Sequence, residues 1–528
     1  MLRPVRPTVS RAVSLVVGLT VVLTACTQGS PPQRSAPRTG TTAPVSASAA
    51  HPTDPATDPA LAPYYRQRLV WRGCESASGA PGFQCARLSV PVDYARPGGA
   101  TTYLQLTRLP ASGPGERLGS LVVNPGGPGA SGVEYAGYAS AVLSETVRAH
   151  FDVVGFDPRG VASSDPVRCL TDRQTDVFLA ADASPDTPAE REQLVQLSQQ
   201  LARRCEQRDP ELIAHMGTVD VARDLDVLRA ALGDARLHYL GKSYGTFLGA
   251  IYADLFPRRV GRVVLDGALD PRSTTEQVNL GQASGFELAL GAFLDDCLRT
   301  TTCPLSGDAQ SARRQLEAFL ARVDAEPLPT GGPRRLTQAL AVLGIVFALY
   351  DESYWPQLRS ALASGLTGDG SALLMLADAY AERLPSGRYR TNANDAIYAV
   401  NCLDRPTPQG PAEIMAALPE FDKASSLFGA YIAWSSLPCH YWPVPPQWRP
   451  HAVHAPGAPP ILVVGTVRDP ATPYRWARAL ADELDSGVLL TYVGDGHTAY
   501  RRGSQCIDDA VDRFLVDGRP PADGATCR

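Results

Sequence analysis

From about residue 86 onward, short apolar runs alternate with longer stretches of helical periodicity. Six of the runs, "GSLVVNPGG", "FDVVGFDPRG", "LHYLGKS", "GRVVLDGA", "ILVVGTVRD" and "VLLTYVGDGH", are mainly apolar and stop at Gly, Pro, Asp or Ser clusters. Runs of that length between helical segments predict strands buried on both faces, hence an α/β fold with a mostly parallel sheet covered by helices. Their turn-rich carboxyl ends are where such a sheet presents its working loops. Between "VVLDGALDP" and "ILVVGTVRDP" the pattern changes for about 180 residues, where stretches such as "GFELALGAFLDDCL" and "TQALAVLGIVFALY" are helical and strand runs are few. That length is too great for a loop, so it predicts a mainly helical cap inserted before the strand that leads to Asp469. The expected layout is a first core part over 63–270, a cap over 271–450 and a second core part over 451–528, with no internal repeat.

The amino-terminal pattern differs again. Arg3, Arg6 and Arg11 precede "AVSLVVGLTVVL", a run too short to span a bilayer comfortably, followed by "LTAC" at 23–26. This reads as an export signal over 1–25 ending in a bacterial lipobox, with Cys26 as the lipidated residue. A plain secretory signal with an unmodified cysteine is the alternative. Residues 26–62 are rich in Pro, Ser, Thr and Ala with few large apolar side chains, so they cannot offset the entropy of ordering and read as a disordered tether. The expected location is the extracytoplasmic face of the cell membrane through a lipid anchor, with shedding or secretion as the variant outcome.

Charge narrows the partners. The 528-residue chain carries a formal net charge of −5 and has no Lys/Arg block of the kind that tracks phosphates, so no nucleic-acid partner is expected. Its only lysines are Lys242 and Lys423. Setting Cys26 aside leaves an even set of the eleven cysteines in an exported chain, which permits five disulfides. Counting does not settle connectivity. Sequence neighbours suggest Cys74 with Cys85, Cys169 with Cys205, Cys297 with Cys303, Cys402 with Cys439 and Cys506 with Cys527. Zinc is the competing use, but no CxxC pair exists and only His440 lies beside a cysteine; with no HExxH string either, no metal or cofactor is expected.

The chemistry gathers around "GKSYG" at 241–245. A Gly-x-Ser-x-Gly string alone is weak, and context strengthens it: "LHYL" enters as a strand and "TFLGAIYADLF" leaves as a helix, the elbow that holds a serine hydroxyl above a sheet. Ser243 is the candidate nucleophile, and Gly241 and Gly245 suit a turn with no room for Cβ atoms. A serine needs a base and the base an orienting acid, in the chain order Ser, Asp, His for this architecture. Asp469 follows one late strand and His497 the next, so His497 is the candidate base and Asp469 its partner. Asp495 is a rival acid, though so close to His497 in one loop it reads as a turn former. "NPGGPGASG" at 124–132 follows an early strand and supplies the expected oxyanion loop, with the amides of Gly127 and Tyr244 as donors. A phosphate-binding reading of that loop fails, because no GK[ST] follows.

Taken in order, "NPGGPGASG", "FDPRGVASSDP", "GKSYGT", "VVLDGALDP", "VNCLDRP" and "VRDPATP…GDGHT" after a lipobox resemble the actinobacterial tripeptidyl aminopeptidases. These are relatives of the proline iminopeptidases, a group that includes mycobacterial envelope serine proteases described as carboxylesterase-like. The resemblance runs from about residue 63 to the carboxyl terminus. It implies an α/β-hydrolase whose cap narrows the cleft and selects peptide or protein substrates with a free N-terminus. The chain departs from proline iminopeptidases in having "NPGGPG" where they carry "HGGPG", so their substrate class does not transfer in detail.

Such an activity needs carboxylates for the substrate ammonium. Asp404 in "VNCLDRP" is the first candidate, then Glu287 and Glu352, each weighed against an ordinary structural charge. Thr472 is a candidate to orient Asp469, against simple turn capping in "DPATP". Arg159 reads as half of a structural ion pair. Lys242, beside the serine on a tight turn, points away and is given no role. Two other functions remain on the sequence: a carboxylesterase or lipase using the same triad, and a binding lipoprotein that keeps the fold without catalysis.

Overall fold

A computed structural model describes residues 54–74, 82–407 and 410–528 of the chain. Cys26, and with it the signal and most of the expected tether, lies outside the described residues. No described helix is long and apolar enough to cross a membrane.

Ten strands form one sheet: β1 (Arg72–Gly73), β2 (Gln84–Pro91), β3 (Thr101–Leu109), β4 (Gly119–Asn124), β5 (Phe151–Phe156), β6 (Leu237–Lys242), β7 (Val260–Asp266), β8 (Ile461–Arg468), β9 (Gly487–Asp495) and β10 (Ala525–Cys527). The spatial order is β1-β2-β3-β5-β4-β6-β7-β8-β9-β10, antiparallel from β1 to β5 and parallel from there on. The six apolar runs are β4 to β9. Their uniform hydrophobicity has a direct cause in packing. Alternate residues Val122, Tyr239, Val263 and Val463 join the core on one face, while Leu121, Val123, Leu240, Val264 and Leu462 join that on the other. With both faces buried, no polar alternation survives. This is the α/β-hydrolase arrangement.

Register brings the carboxyl ends together. Asn124 pairs with Gly241, Lys242 with Asp266, and Asp266 with Val464. The loops after β4, β6, β7 and β8 therefore emerge side by side, and the loop after β9 joins them.

Between β7 and β8 the described residues are helices and loops with two isolated bridges, from helix Thr275–Leu298 through helix Leu437–His440. These helices share a hydrophobic core of their own, built on Phe286, Phe293, Leu343, Leu358 and Trp434. A second segment joins this layer. Helix Pro188–Arg208, between β5 and β6, sends Leu194 into that core and packs Leu201 and Ala202 with Ala396, Ala399 and Leu403. The helical layer over the strand ends thus draws on two insertions, whereas pattern alone placed 169–208 with the first core part. Its local helical signal carries no mark of which layer it covers.

Five disulfides join cysteines that neighbour one another in sequence: Cys74–Cys85, Cys169–Cys205, Cys297–Cys303, Cys402–Cys439 and Cys506–Cys527. Arg159, fully buried, pairs with buried Asp224 at 2.5 Å and donates to the carbonyls of Pro91 and Val92. It anchors the loop after β5.

Candidate active site

Ser243 lies between β6 and helix Tyr244–Leu255 with φ 55° and ψ −125°, a conformation an L-residue holds only when its surroundings enforce it. The enforcement is visible. The Ser243 N–H donates to the Asp266 carbonyl at 2.9 Å, and its own carbonyl accepts from Thr246 N at 2.8 Å and Thr246 Oγ1 at 2.6 Å. Within this frame the serine is only half-buried, whereas Lys242 and Tyr244 on either side are buried. The strain is spent on presenting one hydroxyl.

His497 sits in the loop after β9. Its Nδ1 lies 2.8 and 3.0 Å from the two carboxylate oxygens of Asp469, and its Nε2, on the opposite edge of the ring, is buried with no partner among the described residues. Asp469, 1% exposed, also accepts the amides of Ala471 (2.9 Å), Thr472 (2.8 Å) and Thr498 (3.1 Å). A carboxylate that accepts these amides accepts from the ring as well, which keeps the imidazole proton on Nδ1 and leaves Nε2 a lone pair. Gly267, directly after the Asp266 that holds Ser243, packs against the ring: a Cβ there would stand 3.4 Å from His497 Cε1. One short loop after β7 thus touches both the serine backbone and the imidazole.

The loop after β4 completes the cluster. Gly126, at φ 97°, packs so tightly on the elbow that a Cβ would meet Ser243 Cβ and Tyr244 N at 2.9 Å. Its N–H is taken by Asn124 Oδ1 at 2.9 Å. The Gly127 N–H has no partner among the described residues, and Tyr244 is the first residue of its helix, where the N–H precedes the intrahelical ladder. Neither amide donates a hydrogen bond among the described residues.

The carboxyl-terminal part of the chain, residues 425–527, matches the family model described as TAP-like protein. Over nearly all of its length the chain is similar to the serine protease Hip1 of Mycobacterium tuberculosis, at 39% identity covering 88% of this chain and 92% of that protein. The chain belongs to the TAP-like serine hydrolases. Carboxylesterase B of Mycobacterium tuberculosis is 38% identical over 88% of this chain and 91% of its own, and the tripeptidyl aminopeptidase of Streptomyces lividans 34% identical over 88% and 87%.

In this TAP-like hydrolase the remaining candidates fall in unequal places. Thr472 touches both Asp469 and His497, its amide on the carboxylate and its Oγ1 3.3 Å from Nδ1. Asp495 is held by Arg468 through two bonds of 2.6 and 2.5 Å and does not reach the imidazole. Asp404 is 1% exposed and accepts from Thr218 N (2.7 Å) and Thr218 Oγ1 (2.6 Å), capping helix Thr218–Leu232 from a distant helix. The Tyr244 hydroxyl bonds the same Thr218 Oγ1, so this network steadies the residue after the serine. Burial raises the Asp404 carboxyl to about 6 despite those bonds. Glu287 is bonded to Arg313 and, at 2.8 Å, to Ser425 Oγ. Both carboxylates first named for an ammonium are therefore occupied inside the protein. Glu352, named last, forms no salt bridge among the described residues, and burial with the neighbouring Asp495, Asp351 and Asp296 raises its carboxyl. It lines a hollow of about 430 Å³ bounded by Tyr350 and by Gly496, the residue before His497.

Two contributors escaped sequence reading. Tyr350, from the helical layer, accepts the His497 backbone N–H on its carbonyl at 2.8 Å and sets its ring edge-on to the imidazole at 5.2 Å. Lys242 turns inward, its Nζ donating to the Tyr500 carbonyl at 2.6 Å. Neither carries a local signal; only pairing across the fold reveals them.

Proposed function

We propose that this serine hydrolase is a lipid-anchored extracytoplasmic peptidase of the aminopeptidase type, which releases short N-terminal peptides through an acyl-enzyme on Ser243. The observation that carries the reading is the conjunction of a strained, half-exposed Ser243 with a His497 whose Nδ1 is held by Asp469 and whose Nε2 is unpartnered. In the proposed sequence His497 Nε2 accepts the hydroxyl proton as Ser243 Oγ attacks the scissile carbonyl. The Gly127 and Tyr244 amides receive the oxyanion, and the imidazolium then protonates the departing amine. Water repeats the steps to free the acyl fragment.

The names of the relatives, a serine protease and a tripeptidyl aminopeptidase, support peptide substrates over other acyl groups. Glu352 supports recognition of a free ammonium: in a hollow where Asp296, Asp351 and Asp495 are already paired with Arg359, Arg502 and Arg468, it is the carboxylate with no salt bridge among the described residues and gains from an incoming cation. The helical layer narrows access. Membrane attachment through Cys26 rests on the lipobox alone, and its test is metabolic labelling with palmitate, lost in Cys26→Ala. The Carboxylesterase B relative keeps ester hydrolysis as the second reading.

Two measurements decide. A fluorophosphonate probe should label the disulfide-intact protein and not Ser243→Ala; a folded wild type that stays unlabelled supports the non-catalytic reading. A chromogenic tripeptide with a free N-terminus should be cleaved faster than its N-acetylated twin. Equal rates remove the aminopeptidase assignment, and faster turnover of a simple acyl ester than of either peptide favours the esterase.

A further inference from the structure

We propose that Lys242 and Asp266 form a clamp that sets the position of His497 relative to Ser243, which makes Lys242 a positioning residue for the reaction. The proposal rests on the Ser243 and His497 assignments above. Lys242 is the last residue of β6 and lies opposite Asp266, the last residue of β7. Its Nζ reaches the Tyr500 carbonyl at 2.6 Å, Thr498 Oγ1 at 3.5 Å and Asp266 Oδ2 at 3.5 Å. Asp266 is fully buried, and its carboxylate accepts Ala499 N at 2.9 Å and Tyr500 N at 3.0 Å while its carbonyl accepts Ser243 N at 2.9 Å.

These contacts close a ring. It runs from the Ser243 amide to the Asp266 carbonyl, through the Asp266 carboxylate to the Ala499 and Tyr500 amides, and from the Tyr500 carbonyl to Lys242, which is bonded to Ser243. The loop His497–Tyr500 is thereby pinned between two buried carboxylates: Asp469 takes the imidazole and Thr498 N, Asp266 takes the next two amides. Thr498 spans them at φ 66°. A buried lysine is costly unless paired, and both its cation and its hydrogen bond are used here. Nζ contacts neither Ser243 Oγ nor His497 Nε2 among the described residues, so Lys242 acts through the loop and not on the proton. The charged groups facing it are Asp266 from β7, Arg502 from the loop after β9 and Asp508 from helix Gln505–Asp517.

A clamp of this kind affects the geometry of attack more than the binding of substrate. The test uses full-length, disulfide-intact protein carrying Lys242→Met, Asp266→Asn, or both, with the double variant leaving no unpaired buried charge if a single variant fails to fold. We expect each folded variant to lose about tenfold or more in kcat and in the rate of fluorophosphonate labelling, with KM held within about twofold. The acid limb of kcat/KM, which reports His497, should move in opposite directions: up when the cation is removed in Lys242→Met, which favours imidazolium, and down when the anion is removed in Asp266→Asn. Folded variants with wild-type kcat overturn the clamp. So do parallel losses in kcat and KM with an unmoved acid limb, which describe a merely structural pair. A folded wild type that the probe does not label at Ser243 overturns the nucleophile assignment itself; labelling of wild type and variants at equal rates overturns the clamp alone.

Discussion

Replacing Asp469 by Asn is the sharpest probe of the site, because it trades one of the two acceptors facing His497 for a donor. Oδ1 accepts Ala471 N at 2.9 Å and Thr472 N at 2.8 Å, while Oδ2 accepts Thr498 N at 3.1 Å, and both lie within 3.0 Å of His497 Nδ1. An asparagine keeps its carbonyl oxygen on the first pair of amides, so the turn is retained. Its NH2 then stands where Oδ2 was, facing an imidazole N–H and the Thr498 N–H. Two donors facing one another repel, although the retained oxygen still stands 2.8 Å from Nδ1, so the tautomer with its proton on Nε2 gains at the expense of the active one. In that tautomer Nε2 can no longer accept the Ser243 proton. The loss for an enforced wrong tautomer is about 10⁴-fold in kcat, or about 5 kcal/mol of transition-state stabilisation. The retained oxygen, at the Oδ1 position 2.8 Å from Nδ1, and Thr472 Oγ1, at 3.3 Å, are the alternative acceptors and soften the loss; adding Thr472→Val should deepen it. The assay is kcat on a chromogenic tripeptide beside a thermal melt. A melt near wild type with kcat reduced by less than about tenfold would refute the assignment of Asp469 as the orienting acid, since it requires His497 to keep its tautomer without it.

Three further outcomes follow from the geometry. The folded-state carboxyl of Asp404 is raised to about 6, so the native state holds its proton more tightly than the unfolded chain; its contribution falls as pH rises from about 4 to about 6 and Asp404→Asn should flatten that decline in urea titrations. Cys402 and Cys439 close a loop with a sequence separation of 37, and replacing both by Ala should cost about 4 kcal/mol of unfolding free energy, read by denaturant titration. Glu352→Gln should raise KM for a substrate with a free N-terminus by a few fold, at most about 1 kcal/mol for an exposed pair, and leave its N-acetylated twin unchanged; equal effects on the two would remove Glu352 from ammonium recognition.

The part of the fold legible from sequence is the part whose cause is local. β4 to β8 could be read because they are buried on both faces almost throughout and therefore mainly apolar, and β9 because it is apolar although several of its positions are partly exposed. The antiparallel edge was not read: β2 and β3, "QCARLSVP" and "TTYLQLTRL", mix exposed with buried positions and look like ordinary half-polar segments until they pair. Helix Pro188–Arg208 was legible as a helix and not as a partner of the cap. Its apolar face fits a core helix or a covering helix equally.

The same division runs through the site. Sequence alone determined Ser243, Asp469 and His497 as candidates, because each follows a strand and a sheet with aligned carboxyl ends must bring those loops together. Tertiary structure alone decided that Asp404 is spent on Thr218 and Glu287 on Arg313, that Glu352 has no salt bridge among the described residues, that Tyr350 descends onto His497, and that Lys242 turns inward to Asp266 and Tyr500. The physical reason is the range of the interaction. Backbone conformation is set by neighbours within a few residues, whereas the partner of a buried charge is whichever group the packed chain carries to within hydrogen-bond distance, and that partner can come from any part of the sequence.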